Sequence, residues 1–213
     1  MTILKDQTRW VNQNVLAPIF LNLYKYTGKI ELIPIIRRLV KIQLKAEQIS
    51  KIGRKVKSCQ PCNFLVFGMG NDSRFWQMTN KEGNTCFVED NEKWYNRVLR
   101  KTPVLNACLV TYDTTMAQWK NFIDTEDALQ LDLPDAIKTC KWDLIFVDAP
   151  RGKSDHNPGR MKSIFMASQL IKSGGTVFVH DCDREVERAY CRKYLKEENL
   201  ISRVGSLDEY LLP

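Results

Sequence analysis

The chain has 213 residues, which is enough for one domain of ordinary size with its own hydrophobic core and an N-terminal extension. Its seven cysteines are odd in number and several lie within apolar runs, which favours a reducing compartment over a disulfide-stapled fold. No apolar run reaches the roughly 20 residues of a membrane-spanning helix, and no secretory signal is apparent. Composition therefore argues against a membrane-spanning or disulfide-scaffolded protein, and we expect a soluble one.

The net charge of +7 is concentrated in the first part of the chain. Residues 1–58 hold 12 Lys and Arg against 3 Asp and Glu, a balance of +9, whereas residues 59–213 hold 20 against 22, a balance of −2. Such a basic segment has two interpretations, a solvated amphipathic helix or a surface that approaches a polyanion or an acidic membrane. We divide the chain into a basic helical extension, residues 1–58, and a main domain, residues 59–213.

The extension is expected to be helical. From Ile35 to Val56 apolar residues recur at helical spacing while Lys and Arg fill the other positions, which predicts one long helix lying on the main domain. Cys59 and Cys62 follow as a lone CxxC pair. Because the chain has no second pair and only two histidines, we interpret these cysteines as packing residues and not as a zinc site.

The main domain alternates apolar segments with amphipathic ones. The first apolar segment is continuous, as is typical of a central parallel strand covered on both faces. Regular alternation of strands and helices predicts an α/β fold with a Rossmann-like, doubly wound, mostly parallel sheet. The five predicted strands are NFLVFGMG, TCFVED, LNACLVTYD, DLIFVD and GGTVFVHDCD. The closing segment GSLDEYLLP is expected to add an edge strand.

The first strand runs into a glycine turn, at the edge where sheets of this kind bind their ligands. Gly68 and Gly70 allow a tight turn and a close approach of the backbone to a ligand, and Asp72 and Ser73 are able to cap the next helix. Glu89 ends the second strand 21 residues after Gly68, the distance at which an acid reaches the ribose hydroxyls of a nucleotide-like cofactor. Together these residues predict a nucleoside cofactor.

The glycine turn also narrows the identity of that cofactor. A dinucleotide site has a third glycine to seat a pyrophosphate, but position 73 is serine. S-adenosylmethionine has no phosphate, and it needs a glycine turn, an acid for the ribose and polar groups near the adenine. Tyr112, Asp113 and Thr114, at the end of the third strand, are candidates for the adenine contact, although a plain polar turn explains them equally well. We therefore predict S-adenosylmethionine as the cofactor.

Ionisable side chains also end the fourth and fifth strands. Asp148 closes one, and His180 and Asp181 close the other, so all three are expected at one crevice. They are predicted to be catalytic, either as ligands of a divalent metal ion that lowers the pKa of a substrate hydroxyl or by supplying a general base directly. The alternative is structural, with two loop-capping carboxylates and a packed imidazole.

Three arginines and a second histidine lie near these strand ends. Arg160, at the start of the helix after the fourth strand, is a candidate to grip an anionic substrate group with its planar fork. Arg151 and Arg184 are weaker candidates for the same role, and all three have surface ion pairs as the alternative. His156 is either a base or lid residue of the loop, or an exposed histidine without a role.

A series of motifs runs in fixed order through the main domain: PCNFLVFGMGNDS, FVEDNEKW, VTYDTT, WDLIFVDAPRG, PGRM, VFVHDCDREVE and YLLP. From about Ser58 to Pro213 this series resembles the plant glucuronoxylan 4-O-methyltransferase family, also known as DUF579. The resemblance implies a class I, S-adenosylmethionine-dependent methyltransferase that methylates a sugar hydroxyl, O4 of glucuronic acid in the best-known members. It also implies that Gly68, Gly70 and Glu89 hold the cofactor and that Asp148 lies beside the methyl group.

The sequence departs from the plant pattern in four places. The plant members' Golgi membrane anchor is not seen here, which favours a cytoplasmic location over the Golgi lumen. The insertion before the fourth strand is shortened to DTEDALQLDLPD, Lys153 stands where an aromatic residue is usual, and Asn71 stands where many members have histidine. These changes leave the fold and the cofactor as predicted, but they leave the acceptor open.

Three hypotheses on function follow. The first is an S-adenosylmethionine-dependent O-methyltransferase that acts on an acidic saccharide. The second keeps the fold but changes the acceptor to a nucleic acid, a protein or a small molecule, with residues 1–58 as the recruiting surface. The third is a non-catalytic polysaccharide-assembly protein that has the same fold.

Overall fold

The computed structural model describes Thr8 and residues 11–213 of the chain. Within these residues one sheet contains the strands Asn63–Phe67 (β1), Asn84–Glu89 (β2), Asn106–Leu109 (β3), Trp142–Val147 (β4), Ile171–Val179 (β5), Leu200–Val204 (β6) and Leu207–Leu211 (β7). Their order across the sheet is β3-β2-β1-β4-β5-β7-β6. The strands β1 to β5 pair in parallel, whereas β7 is antiparallel to both β5 and β6. The doubly wound, mostly parallel sheet is confirmed, and its order reverses between β1 and β4.

Helices cover both faces of this sheet. The α-helices of the described residues are Ala17–Thr27 (α1), Ile33–Val40 (α2), Ala46–Cys59 (α3), Ser73–Thr79 (α4), Glu92–Lys101 (α5), Trp119–Phe122 (α6), Glu126–Leu129 (α7), Asp135–Lys138 (α8), Met161–Leu170 (α9) and Glu185–Tyr190 (α10). Two of them adjoin π-helical turns: Asn12–Leu16 precedes α1, and Cys191–Leu195 follows α10. None of the described helices is long and apolar enough to cross a membrane.

The central strand β1 shows why both faces need cover. Phe64 and Val66 point into a core formed with α1 to α4, while Leu65 and Phe67 point into a second core formed with α9 and α10. All four side chains are buried. A parallel strand buried on both faces is a continuous apolar run, as the sequence predicted.

The prediction of one long helix from Ile35 to Val56 is wrong. The helix α2 ends at Val40 because Lys41 adopts a left-handed conformation, with φ 64°, and the chain starts a new helix, α3, at Ala46. In the segment between the two helices, the side chains of Ile42 and Leu44 point into the core and are buried. Since the apolar rhythm continues through the break, helical periodicity alone does not reveal it.

The prediction that the closing segment forms an edge strand is also wrong. β7 lies between β5 and β6, and β6 is the edge. Asp208 and Glu209 give β7 the polar character of an edge, yet both are buried because β6 supplies partners for them. Arg203 donates to the two oxygens of Asp208 at 2.6 and 2.8 Å, and Ser202 donates to Glu209 at 2.7 Å.

All seven cysteines are free thiols. Cys59 and Cys62 meet where α3 runs into β1, with their sulfur atoms 3.1 Å apart. The side chain of Asn80 holds Cys62 there, since its amide donates to the Cys62 carbonyl at 2.8 Å. The pair therefore packs at the entrance of β1.

Candidate active site

The carboxyl ends of β1, β2, β4 and β5 meet at one edge of the sheet. Strand pairing continues into the residues that follow, because Asp148 N donates to Phe67 O at 2.9 Å and His180 N donates to Val147 O at 3.0 Å. This edge lies at the reversal of strand order, the usual place of a ligand crevice in an open α/β sheet. The sequence predicts the cofactor on the β1–β2 side of this edge and the substrate on its β4–β5 side, so we refer to the two sides as the donor half and the acceptor half.

The glycine turn forms the floor of the donor half. Gly68 has φ +118°, where a side chain is strained, and a Cβ there would lie 3.0 Å from the Cβ of Ala149. A Cβ on Gly70 would overlap Oδ1 of Asp72. Ser73, predicted as a cofactor contact, is buried and accepts a 2.9 Å hydrogen bond from Gly70 N, so it closes the turn from inside.

Glu89 lies beside this turn as a buried carboxylate. Its Oε2 accepts from Met69 N at 2.7 Å and its Oε1 accepts from Asn91 N at 2.9 Å. Burial raises its pKa to about 7, although these two backbone bonds act in the opposite direction. Each oxygen keeps a further lone pair, so the carboxylate can still accept hydroxyl donors of a ligand.

Asp72 adds a second carboxylate to the donor half. Its Oδ2 accepts from the indole of Trp76 at 2.8 Å. Burial, and then the negative charge of Asp148, raise its pKa to about 6. A cationic ligand would relieve this crowding of negative charge, so the donor half suits a sulfonium or ammonium group.

The three polar residues after β3 do not act together. The Tyr112 hydroxyl lies 2.8 Å from Ser163 Oγ, and Thr114 donates to Pro158 O at 2.9 Å. Asp113 has a side chain that is 77% exposed, and it pairs with Lys162 at 2.5 Å. Burial raises the pKa of Tyr112, and the charges of Asp90 and Glu89 raise it further, so Tyr112 is the member of the set that lies towards these two carboxylates.

The acceptor half is built from ion pairs. Asp148 Oδ1 accepts from Arg160 and from His180 Nδ1, each at 3.0 Å, and Arg160 also pairs with Asp181 at 2.6 Å. The potential ligand atoms of Asp148, His180 and Asp181 lie within 4.8 Å of one another, so the structure brings the predicted cluster together. The pairing with two arginines lowers the pKa of Asp181 against the opposing effect of burial.

The structure corrects the prediction that Arg160 grips an anionic substrate. Its side chain is only 5% exposed, compared with 18% for Asp181, 19% for His180 and 32% for Asp148. Beyond its two carboxylate partners, the guanidinium donates to the carbonyls of His180 and Asp148 at 2.6 and 2.7 Å. Arg160 therefore holds the two carboxylates from the buried side, and Asp148 is the most exposed member of the cluster.

His180 is also held on both ring nitrogens. Nδ1 faces Asp148 Oδ1, and Nε2 lies 3.2 Å from Ser206 Oγ in the turn between β6 and β7. A neutral imidazole that donates from Nδ1 would accept from Ser206 at Nε2. The ring thereby orients the Asp148 carboxylate.

Two further residues complete the acceptor half, and the sequence undervalued them. Arg184 pairs with Asp181 at 2.7 Å and with Glu187 at 3.5 Å. This second pair was weighed only as a surface ion pair, yet Glu187 is completely buried and its Oε2 has no hydrogen-bond partner among the described residues. Burial raises the pKa of Glu187. The only signal in the sequence was the spacing of three residues that places the two side chains on one helical face.

The loop between β4 and α9 borders the acceptor half. Arg151, Lys153 and His156 are exposed on it. Backbone bonds fix the loop at its far end, because Met116 N donates to Asn157 O at 2.8 Å and Gly159 N donates to Arg151 O at 2.9 Å. The loop therefore presents exposed side chains, among them the cations Arg151 and Lys153, on a fixed backbone.

A parallel sheet closed by an antiparallel β7 between β5 and β6, with its crevice where β1 meets β4, is the architecture of class I, S-adenosylmethionine-dependent methyltransferases. The chain is a protein of this class. A sequence profile of the IRX15/IRX15L/GXM family matches residues 47–131 and 128–210. The chain belongs to this family, as the motif series predicted.

Several curated relatives from Arabidopsis thaliana are similar to the chain. Glucuronoxylan 4-O-methyltransferase 1 is 35% identical over 188 residues, covering 78% of this chain and 67% of the relative. Arabinogalactan O-methyltransferase 2 is 35% identical over 192 residues, covering 78% and 66%. Protein IRREGULAR XYLEM 15 is 35% identical over 191 residues, covering 78% and 59%. The chain thus spans about two thirds of the length of these relatives or less.

Among solved structures, precorrin-6y C5,15-methyltransferase from Geobacter metallireducens is similar with a TM-score of 0.45 and 16% identity, covering 76% of this chain and 75% of that one.

Proposed function

We propose that the protein transfers the methyl group of S-adenosylmethionine to a hydroxyl group of an acidic saccharide. The observation that carries this proposal is the position of Asp148. It is the most exposed side chain of the acceptor half, it faces the donor half closely enough to raise the pKa of Asp72, and it is held on one oxygen by Arg160 and His180. Relatives named as O-methyltransferases of glucuronoxylan and arabinogalactan support the choice of acceptor.

The residues of the donor half fit the cofactor. S-adenosylmethionine supplies an electrophilic methyl group on a positively charged sulfur. Gly68 and Gly70 would bring the backbone close to it, and Glu89 would accept hydrogen bonds from its ribose hydroxyls. The negative charges of Asp72, Glu89 and Asp148 would favour a cationic ligand over a neutral one.

The acceptor half supplies positioning and a proton acceptor. Arg160 and His180 hold Oδ1 of Asp148, so Oδ2 is free to face a substrate hydroxyl. S-adenosylmethionine would supply the methyl group and keep the electron pair of the broken carbon–sulfur bond, while Asp148 would take up the proton of the attacking hydroxyl and pass it to water. In this proposal His180, Asp181 and Arg160 are positioning residues. Their task is to keep one carboxylate oxygen in place.

A uronate carboxylate needs a cation that the buried Arg160 does not provide. Arg151 and Lys153 are exposed at the rim of the same crevice, so we assign the contact with the acidic group to them.

A divalent metal ion at Asp148, His180 and Asp181 is the second candidate, because these three residues offer suitable oxygen and nitrogen ligands within 4.8 Å. Such a metal ion would compete with Arg160, whose guanidinium already pairs with the carboxylates of Asp148 and Asp181. Excess chelator separates the candidates. Direct proton transfer to Asp148 predicts unchanged methyl transfer, whereas metal catalysis predicts a loss that added ion reverses.

The test of the proposal has two parts. Calorimetry should detect binding of S-adenosylmethionine and of its demethylated product, and the absence of heat with both would reject the donor. Transfer of labelled methyl groups should then be highest with glucuronoxylan or arabinogalactan oligosaccharides that carry uronic acid. The same oligosaccharides with the uronic acid reduced to neutral sugar are the matched control. Equal transfer to both, or transfer only to nucleic acid or protein, would contradict the proposed acceptor.

A further inference from the structure

The N-terminal helix carries a row of apolar side chains that are exposed to solvent in the described protein. The helix runs from the turn Asn12–Leu16 through α1. Six large apolar residues along this helix and just beyond its two ends are between 40 and 74% exposed: Val11, Val15, Ile19, Leu23, Tyr26 and Ile30. Their spacing of four, four, four, three and four residues places the first five on one face of a helix. We refer to these six residues as the N-terminal stripe.

The stripe is not the face that packs on the domain. Ala17, Leu21 and Tyr24 form the buried face of α1, and the ring of Tyr24 lies 4.9 Å from that of Phe75 in α4. The helix is thus apolar on two sides, and one side only is buried. A helix of this kind is expected to have a second apolar surface to contact.

Exposed apolar residues are concentrated in this part of the chain. Of the eleven large hydrophobic residues that are exposed in the described structure, seven lie between Val11 and Ile35. The other four are scattered as Val104, Leu109, Ile201 and Leu211. Single exposed apolar side chains are ordinary on a protein surface, but a continuous row marks a contact surface.

Positive charge lies beside the stripe. The ring of Tyr26 has Lys25 Nζ at 5.5 Å and Lys81 Nζ at 5.9 Å from its centre. The segment 1–58 that carries the stripe has a balance of +9. Two copies meeting through this face would bring these charges together, so the charge favours an anionic surface over a second copy of the chain.

We propose that the N-terminal stripe docks the protein on the surface of an anionic lipid bilayer, with the helix lying in the plane of the interface. Apolar side chains enter the boundary of head groups and acyl chains while lysines contact the anionic head groups. The proposal goes beyond methyl transfer and does not depend on it. It needs no membrane-spanning helix.

The experiment is co-sedimentation of the full chain with vesicles of phosphatidylcholine, with and without phosphatidylserine. The stripe variant is Ile19→Ser with Leu23→Ser, and the matched control is Val104→Ser with Ile201→Ser, which removes two exposed aliphatic side chains elsewhere. All four positions are exposed, so both variants should keep the thermal midpoint of the wild type. Light scattering on the same samples reports the oligomeric state.

The wild type and the control should sediment with the anionic vesicles, and the stripe variant should bind about tenfold more weakly or worse. Binding of the wild type to neither vesicle would overturn the proposal. Undiminished binding of the stripe variant would also overturn it, because charge alone, as in polyanion binding, would then suffice. A dimer that the stripe substitutions dissociate would identify a second copy as the true occupant.

Discussion

The two halves of the crevice are built in different ways. In the donor half, backbone groups close to one another define the site: Met69 N and Asn91 N hold Glu89, and Gly70 N holds Ser73. In the acceptor half, charged side chains from β4, β5 and α9 hold one another. Backbone geometry tolerates change in side chains, whereas an ion-pair network depends on each member. Mutations should therefore separate binding of the donor from transfer of its methyl group.

The largest effect should come from Asp148→Asn. The amide keeps the shape and one acceptor oxygen, so Arg160 and His180 retain a partner, but it cannot take up the hydroxyl proton. We expect kcat to fall by about a hundredfold or more, the range attributed to a positioned general base. The dissociation constant of S-adenosylmethionine, measured by calorimetry, should change little.

Asp143→Asn is the matched control for this substitution. Asp143 is on the same strand at its opposite end, where it accepts from Asn63 N at 2.7 Å. It should cost stability without a specific loss of kcat. Full activity of Asp148→Asn would remove Asp148 from the chemistry and leave the acceptor half with a structural role.

The second largest effect should come from a substitution in the donor half. Glu89→Gln should weaken binding of S-adenosylmethionine by about ten- to a hundredfold, because hydrogen bonds to a charged group contribute about 1.5–3 kcal/mol. The value of kcat at saturating donor should change far less. Glu92→Gln, an exposed neighbour on α5, should match the wild type. A loss of kcat with unchanged donor affinity would place Glu89 in the acceptor half.

Glu89 also predicts a pH dependence. Its pKa is raised to about 7, so in the free protein it loses its proton as the pH rises through neutrality. Donor affinity should increase between about pH 6 and 8, since the ionised carboxylate accepts the ribose hydroxyls better. Stability of the free protein should change in the opposite direction, because a raised folded pKa contributes stability that is lost as the pH rises through it. Both slopes should flatten in Glu89→Gln, and slopes that persist there would assign them to another group.

The donor half was predictable from the sequence because its determinants are local. Gly68, Gly70 and Glu89 lie at the ends of two successive apolar strands, and the spacing between them is fixed by one strand–helix–strand unit. Pattern and spacing suffice where the partners are near in sequence.

For the acceptor half, the sequence indicated which residues come together but not how they pair or which of them are buried. Arg160 meets partners at positions 148, 180 and 181, and nothing in its own neighbourhood shows that it is buried. The same limit explains the misplaced β7, since its acids are satisfied by Arg203 and Ser202 on a strand that the alternation did not reveal. Burial of a charge depends on long-range partners that a single sequence does not indicate.

A smaller effect is expected from Glu187→Gln. Burial raises the pKa of Glu187, so the ionised form is disfavoured in the folded protein and a neutral amide should leave the thermal midpoint unchanged or raise it. Removing its charge should nevertheless loosen Arg184, and through it Asp181, and lower kcat by about three- to tenfold. Thermal unfolding and steady-state kinetics provide the two measurements. Glu185→Gln, exposed on the same helix, is the control. A fall in midpoint in proportion to activity would show that Glu187 only supports the fold.

The smallest effect should come from Asp113→Asn, and it determines where the donor half ends. Asp113 is exposed and pairs with Lys162, which is itself buried and also donates to Gln130 O at 2.8 Å. Asparagine keeps one acceptor oxygen for Lys162, and Lys162 keeps its bond to Gln130 O, so the thermal midpoint should fall modestly and donor affinity should change less than about twofold. Tyr112→Phe is the comparison variant, because it removes a hydroxyl that faces Ser163 in the part of the same segment nearer to Glu89. A tenfold loss of donor affinity in Asp113→Asn would mean that Asp113 leaves Lys162 and contacts the donor when it binds. The donor half would then extend to the end of β3 and include side-chain contacts as well as backbone groups.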